Sequence, residues 1–137
     1  MKATTIVAGA AALASLAACG GIKTKTKIID AAHQSIQSHT RDVCLLAGAL
    51  PSDYVYNEIA RIKATKGTYG GTDEVLAAIA DAARRVGADA VINLQASQKF
   101  KGPLPWRVTS PTGDGTAIKL TPQSPPLDCA AIGGNTG

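Results

Sequence analysis

The sequence predicts a single small α+β domain, with a mixed or antiparallel sheet of about four to five strands packed on one main helix. Three observations predict this architecture. One segment has apolar residues at helical spacing and ends at a glycine. The segments on either side of it are β-branched or alternate apolar with polar residues, as strands do. Without the apolar segment 1–18, roughly 120 of the 137 residues remain, which suits one domain.

Residues 1–18 have the pattern of a bacterial lipoprotein signal peptide. Lys2 is the basic start, and an uncharged, alanine-rich run follows it. This run is too short to span a membrane, since a span needs about 20 apolar residues. Leu16, Ala17, Ala18 and Cys19 resemble the cleavage site and modified cysteine of such signals.

Cys19 is the expected lipidation site. In signals of this kind the thiol takes diacylglycerol, the peptide is cut before the cysteine, and the new amine receives an acyl chain such as palmitate. An ordinary secretory signal that leaves Cys19 free is the alternative. Gly20 stands where an aspartate would favour inner-membrane retention. We therefore expect a lipid anchor in the outer membrane, with the protein facing the periplasm.

Residues 19–27 are predicted to form a lipidated, basic and flexible tether. Lys23, Lys25 and Lys27 account for much of the formal charge of +4, because basic and acidic residues balance from Ile28 onward. Such a Lys-Thr repeat suits anionic lipid head groups. Nucleic-acid binding is disfavoured, because the basic excess is assigned to a tether rather than a face and aromatic residues make up only 4% of the chain.

The domain itself is expected over residues 28–121 and begins with a weakly structured segment, 28–39. Val43–Leu50 is a short apolar run that ends at Pro51, which predicts a buried strand. Tyr54–Ala64 is rich in β-branched and aromatic residues and predicts a second strand.

The central helix is predicted from Thr72, as N-cap, to a stop at Gly87. Acidic residues follow the cap and arginines fill the last turn, as the helix dipole favours. The apolar stripe consists of Val75, Leu76, Ile79, Ala83 and Val86. We interpret this stripe as core packing against a sheet.

Strands are again predicted after the helix. Asp89–Ser97 alternates apolar and polar residues. Trp106–Thr109 and Thr116–Leu120 suggest a hairpin around the turn-rich segment 110–115. Residues 122–137 are rich in proline, serine and glycine and are predicted to form a flexible tail.

Cys44 and Cys129 are the two thiols that remain once Cys19 is lipidated. An even pair in an exported chain indicates a disulfide, which would stabilise the fold by about 4–5 kcal/mol in the chain-entropy model. Two unpaired cysteines are the alternative, because sequence alone does not place their Cα atoms within bridging distance.

Two short stretches carry a family resemblance. Residues 82–94, AARRVGADAVINL, resemble the helix-to-strand junction of YbjQ-type proteins and of envelope lipoproteins related to the Rcs stress sensor RcsF. Residues 115–120, GTAIKL, are similar to the closing strand of that family. The resemblance implies a small sheet packed on a helix, with stress sensing or envelope interaction in the lipoprotein branch. The chain departs from the multi-disulfide pattern of the sensor, because it has at most one bridge.

No catalytic residue, cofactor or metal site is assigned. The serines lack a nucleophile elbow or a comparable signature. His33, His39 and Cys44 near Asp42 offer imidazole and thiolate, which suit zinc or copper, but their spacing fits no known ligand motif. A periplasmic metal-binding lipoprotein is therefore kept as the alternative function. Trp106 is interpreted as a cap on the core edge, with an exposed binding anchor as the other interpretation.

The sequence thus predicts a lipid-anchored bacterial envelope protein that acts as a non-catalytic interaction or stress-sensing module. Its expected partners are the membrane, through the lipid at Cys19, and an envelope protein or a second copy of the chain. A purely structural envelope protein is a further hypothesis.

Overall fold

The computed structural model of the chain describes residues 21–29, 36–105 and 107–137. The predictions on the signal peptide, Cys19, His33 and Trp106 lie outside these ranges. The described residues form six strands and one helix: β1 (Ile22–Ile28), β2 (Cys44–Leu45), β3 (Tyr56–Lys66), α1 (Thr72–Arg85), β4 (Ala90–Lys101), β5 (Val108–Leu120) and β6 (Asn135–Thr136). This arrangement confirms the predicted α+β class, with more strands in the sheet than expected.

The strands form one mixed sheet in the order β1-β3-β5-β4-β2-β6. Only the short β2 runs parallel to its neighbour β4, and the other described pairs are antiparallel. The predicted strand at Val43–Leu50 is therefore reduced to two residues, Cys44 and Leu45. The predicted strand at Tyr54–Ala64 corresponds to β3, which is displaced toward the C-terminus. The predicted strand at Asp89–Ser97 corresponds to β4, which extends further, to Lys101.

Helix α1 packs on one face of the sheet, as its apolar stripe predicts. Its N-cap is Gly71, in extended conformation, so Thr72 is the first helical residue rather than the cap. Gly87 follows the helix with a φ of 77°, which confirms the predicted glycine stop. The core between the helix and the sheet contains, among others, Ile59, Ile62, Val75, Ile79 and Val91, all 0–1% exposed.

The predicted tether is wrong for residues 22–27, which belong to strand β1. This strand pairs along its whole length with β3, from Ile22 opposite Lys66 to Ile28 opposite Ala60. The cause is the alternation of lysine and threonine, which has the two-residue period of a strand. Ile22 is partly buried against the helix-side core, whereas the lysines point to the other face.

The predicted hairpin turn at 110–115 is also wrong. Residues 108–120 form one continuous strand, β5, and its partner in the actual hairpin is β4. Gly113 and Gly115 are buried because the sheet is crowded there. A Cβ at Gly113 would lie 2.9 Å from Val75 Cγ1, and one at Gly115 would lie 2.5 Å from Val91 Cγ1. These glycines therefore permit close packing rather than a turn.

The C-terminal segment is part of the fold and is not the flexible tail predicted for 122–137. Leu127 and Ile132 pack against a buried cluster that includes Ile92 and Ile118, on the sheet face opposite α1. The chain then returns to the sheet edge as β6, which pairs with β2. Its last residue, Gly137, exchanges backbone hydrogen bonds with Val43 at 3.0 and 3.1 Å.

Candidate functional site

The sheet face opposite α1 has two halves of different character. One half is the apolar area covered by the C-terminal segment. The other half is polar. Residues directly opposite one another on neighbouring strands share a face, so the strand register shows which polar side chains lie side by side. Three successive rows across β1, β3, β5 and β4 are Lys23–Thr65–Thr112–Ser97, Lys25–Lys63–Asp114–Gln95 and Lys27–Arg61–Thr116–Ile92.

Five cations concentrate on the β1 and β3 side of these rows. We call Lys23, Lys25, Lys27, Arg61 and Lys63 the basic face. All five are exposed. Two carboxylates lie on the same side of the sheet. Asp114 is opposite Lys63, and Glu58 is on β3, beyond the row that contains Arg61. The basic face therefore has an excess of positive charge.

Ion pairs within the protein engage other cations. Between described residues, the ion pairs within 4.0 Å join Lys66 to Glu74, Arg84 to Asp81, and Arg41 and Lys119 to Asp89. None of these pairs uses a cation of the basic face. Within the described part of the chain, the charge of this face is consequently directed to solvent and to whatever binds there.

A shallow cavity of about 550 Å³ lies over the basic face. Its lining includes Lys25, Arg61 and Lys63 on one side and Asn93, Gln95 and Asp114 on the other. Gly115 and Thr116 of β5 also line the cavity. A cavity with cations and amides on its walls can hold anionic groups and hydrogen-bonding oxygens.

Asn93 reaches this cavity because β4 has an irregularity between Ile92 and Gln95. Asn93 has a φ of 51°, in the left-handed region that asparagine tolerates better than most residues. Its backbone N–H donates to the Gly48 carbonyl at 3.0 Å, which holds the irregular backbone in place. The bulge turns an amide toward the cations, as bulges beside binding sites do.

The position of the lysines on a sheet face bears on nucleic-acid binding. The sequence disfavours nucleic-acid binding partly because it assigns the lysines to a tether, and this assignment is wrong for residues 22–27. Stacking on nucleic-acid bases needs aromatic side chains, and the described rows of this face contain none. The remaining polar side chains suit charge and hydrogen-bond recognition.

The two cysteines expected to pair do meet in the structure. The Sγ atoms of Cys44 and Cys129 lie 2.10 Å apart, and the Cα atoms 5.6 Å apart. The bridge ties the C-terminal segment to β2, and Gly134 packs against both sulfurs. The disulfide thus holds the C-terminal segment over the apolar half of the face opposite α1.

The alternative metal site loses one of its three proposed ligands. Cys44 is in the disulfide, so no thiolate remains there. His39 Nε2 donates to the Ala88 carbonyl at 2.6 Å. The third, His33, lies outside the described residues. Among the described residues, no group of three or more potential ligands is close enough to hold a metal ion.

Sequence reasoning missed Arg61, Lys63, Asn93, Gln95 and Asp114 as site residues. A usable signal was present for Arg61 and Lys63, which alternate with the buried Ile62 and Ala64 and so had to share a face. Asp114 was missed because its segment was interpreted as a turn. The bulge that exposes Asn93 depends on tertiary contacts and has no local signal.

No described helix combines the length and apolar character needed to traverse a membrane. Comparison with protein-family models, curated proteins and solved structures found no match to this chain.

Proposed function

We propose that this protein is a lipid-anchored, non-catalytic interaction module of the bacterial envelope and that its basic face binds a partner with clustered negative charges. The observation that carries the proposal is the position of the five exposed cations on one half of a sheet face. The resemblance to RcsF-related lipoproteins points to the same class of function, including stress sensing, as a prediction.

The lipid anchor and the basic face adjoin in the sequence. Lys23 comes four residues after Cys19, the expected lipidation site. A lipid at Cys19 would therefore hold the basic face close to the membrane, where anionic envelope components are concentrated. Charge of this kind steers partners and sets the rate of encounter more than it sets tight affinity.

The composition of the cavity supports binding of an anion rather than an apolar ligand. Lysine and arginine nitrogens, with the amides of Asn93 and Gln95, recognise phosphate, sulfate or carboxylate oxygens. Asp114 within the same cavity would favour ligands that also carry hydroxyl or amino groups.

The direct test is titration of the purified protein with polyphosphate of defined length, followed by calorimetry. Replacing Lys63 by Gln removes one central cation, and we expect an affinity about twofold to fivefold weaker at about 50 mM salt. Raising the salt to about 300 mM should diminish both the binding and the difference.

The matched control is Arg85→Gln, which removes one exposed cation from the last turn of α1, on the other side of the sheet. This variant has the same net charge as Lys63→Gln. If the two variants bind polyphosphate equally well, the effect is one of overall charge and the basic face is not the binding surface.

A further inference from the structure

Among the described residues, the three most exposed large apolar side chains lie at one end of the sheet. They are Phe100 at 69%, Leu104 at 73% and Tyr69 at 68% exposure. Phe100 and Leu104 belong to the hairpin between β4 and β5. Tyr69 is in the loop before α1, which is bound to β4 through the Gln98 Nε2 donation to the Gly70 carbonyl at 3.0 Å.

The β4–β5 hairpin projects beyond the rest of the sheet. The last pair between β3 and β5 is Thr65 with Thr112, whereas β4 and β5 remain paired up to Lys101 with Val108. Four residues of β5 thus extend past β3, which corresponds to about 13 Å. The apolar side chains are carried on this projection and its loop.

Cations flank the apolar residues of the hairpin. Residues 99–107 read KFKGPLPWR, and the described side chains of Lys99 and Arg107 are exposed on either side of the loop. Apolar and aromatic residues bordered by lysine or arginine are typical of protein segments at a membrane–water interface. Several exposed apolar side chains grouped at one end of a small protein indicate a docking surface.

The described chain begins at the same end of the sheet. Ile22 pairs with Lys66, one row beyond the last β3–β5 pair, so β1 starts level with the base of the projecting hairpin, with β3 between them. Cys19 is three residues earlier, and three residues span at most about 11 Å. A fully extended link would place the expected lipidation site about level with Val108, where β5 begins.

We infer that the β4–β5 hairpin tip is a second membrane contact, which docks on the same bilayer that holds the Cys19 lipid. Phe100 and Leu104 would enter the interfacial region, and Lys99 and Arg107 would contact anionic head groups. This inference rests on the lipid anchor of the proposed function. Two points of attachment would fix the domain against the membrane, with the strands inclined to the surface and the basic face held at a defined angle.

The chain has a single tryptophan, Trp106, which directly follows Pro105 in the hairpin loop. Its fluorescence therefore reports on the hairpin alone. The full protein, extracted from membranes, would be placed in vesicles of phosphatidylethanolamine with about 30% phosphatidylglycerol, with and without brominated acyl chains. We expect a blue-shifted emission and a loss of roughly half of it to the brominated lipid.

The test variant is Phe100→Ser/Leu104→Ser, and the matched control is Ile29→Ser/Val55→Ser at the opposite end, where the wild-type side chains are 45% and 48% exposed. Quenching should fall in the first variant and persist in the second. Equal quenching in both, or none in the membrane-bound wild type, would overturn the inference. A blue shift that needs no vesicles and grows with protein concentration would instead identify a second copy as the occupant and also overturn it.

The experiment distinguishes a missing lipid anchor from a missing hairpin contact. Intact mass reports the lipid at Cys19, whereas bromolipid quenching reports the hairpin in the same sample. A lipidated protein without quenching contradicts only the hairpin contact. Quenching in an unlipidated sample contradicts only the anchor, because the hairpin then docks without it.

Discussion

At the scale of single residues, Gly113 and Gly115 show how a local pattern misleads. Serine, proline, glycine and aspartate at 110–115 are turn residues by local preference, yet they form the middle of β5. Contact with α1 decides the outcome, because the helix approaches so closely that Gly113 has no room for a Cβ. Local preference is a weaker determinant than packing over a central strand. Gly87 behaves as predicted, since a helix stop depends on local backbone conformation.

The close approach at Gly113 predicts a cost for the smallest possible side chain. Gly113→Ala should lower the free energy of unfolding by about 1–3 kcal/mol, because the new methyl group crowds Val75 and Ile79. The control is Gly67→Ala, where a Cβ would have no neighbour within 4 Å. Urea unfolding followed by circular dichroism measures both. Equal midpoints for the two variants would contradict the packing argument.

At the scale of elements, the sequence predicts the helix and the strands next to it better than the two ends of the chain. α1, β3 and β4 carry their own periodic patterns and are recognisable locally. β1 and β6 are edge strands made of short polar segments, which exist as strands because β3 and β2 offer them hydrogen-bonding edges. The β1 half of the basic face was missed for the same reason, because its lysines join Arg61 and Lys63 only when β1 pairs with β3.

The C-terminal segment depends on the disulfide. Reduction should lower the free energy of unfolding by about 2–5 kcal/mol, because the bridge between Cys44 and Cys129 closes a loop with a sequence separation of 85. Backbone amides of residues 129–137 should then exchange with deuterium faster, while those of β3 and β5 stay protected. The matched control, Cys44→Ala/Cys129→Ala, should not respond to reductant. Unchanged exchange in the reduced wild type would show that backbone pairing alone holds the segment.

At the scale of the whole molecule, the charge and apolar surfaces are sorted by position. α1 covers one face of the sheet, the C-terminal segment covers half of the other, and the basic face occupies the rest. The exposed apolar residues of the hairpin lie at the end where β1 begins. Composition alone gave a net charge of +4 without its location. The strand register shows where the cations of the basic face lie, because residues predicted to form a tether belong to strand β1.

The measurement that tests this account most directly is intact-mass analysis of the protein extracted from membranes, with thiol alkylation before and after reduction. We predict a chain that begins at Cys19 and carries acyl groups, with Cys44 and Cys129 alkylated only after reduction. An unlipidated chain would contradict the membrane anchor. Alkylation before reduction would contradict the bridge that closes the apolar half of the sheet.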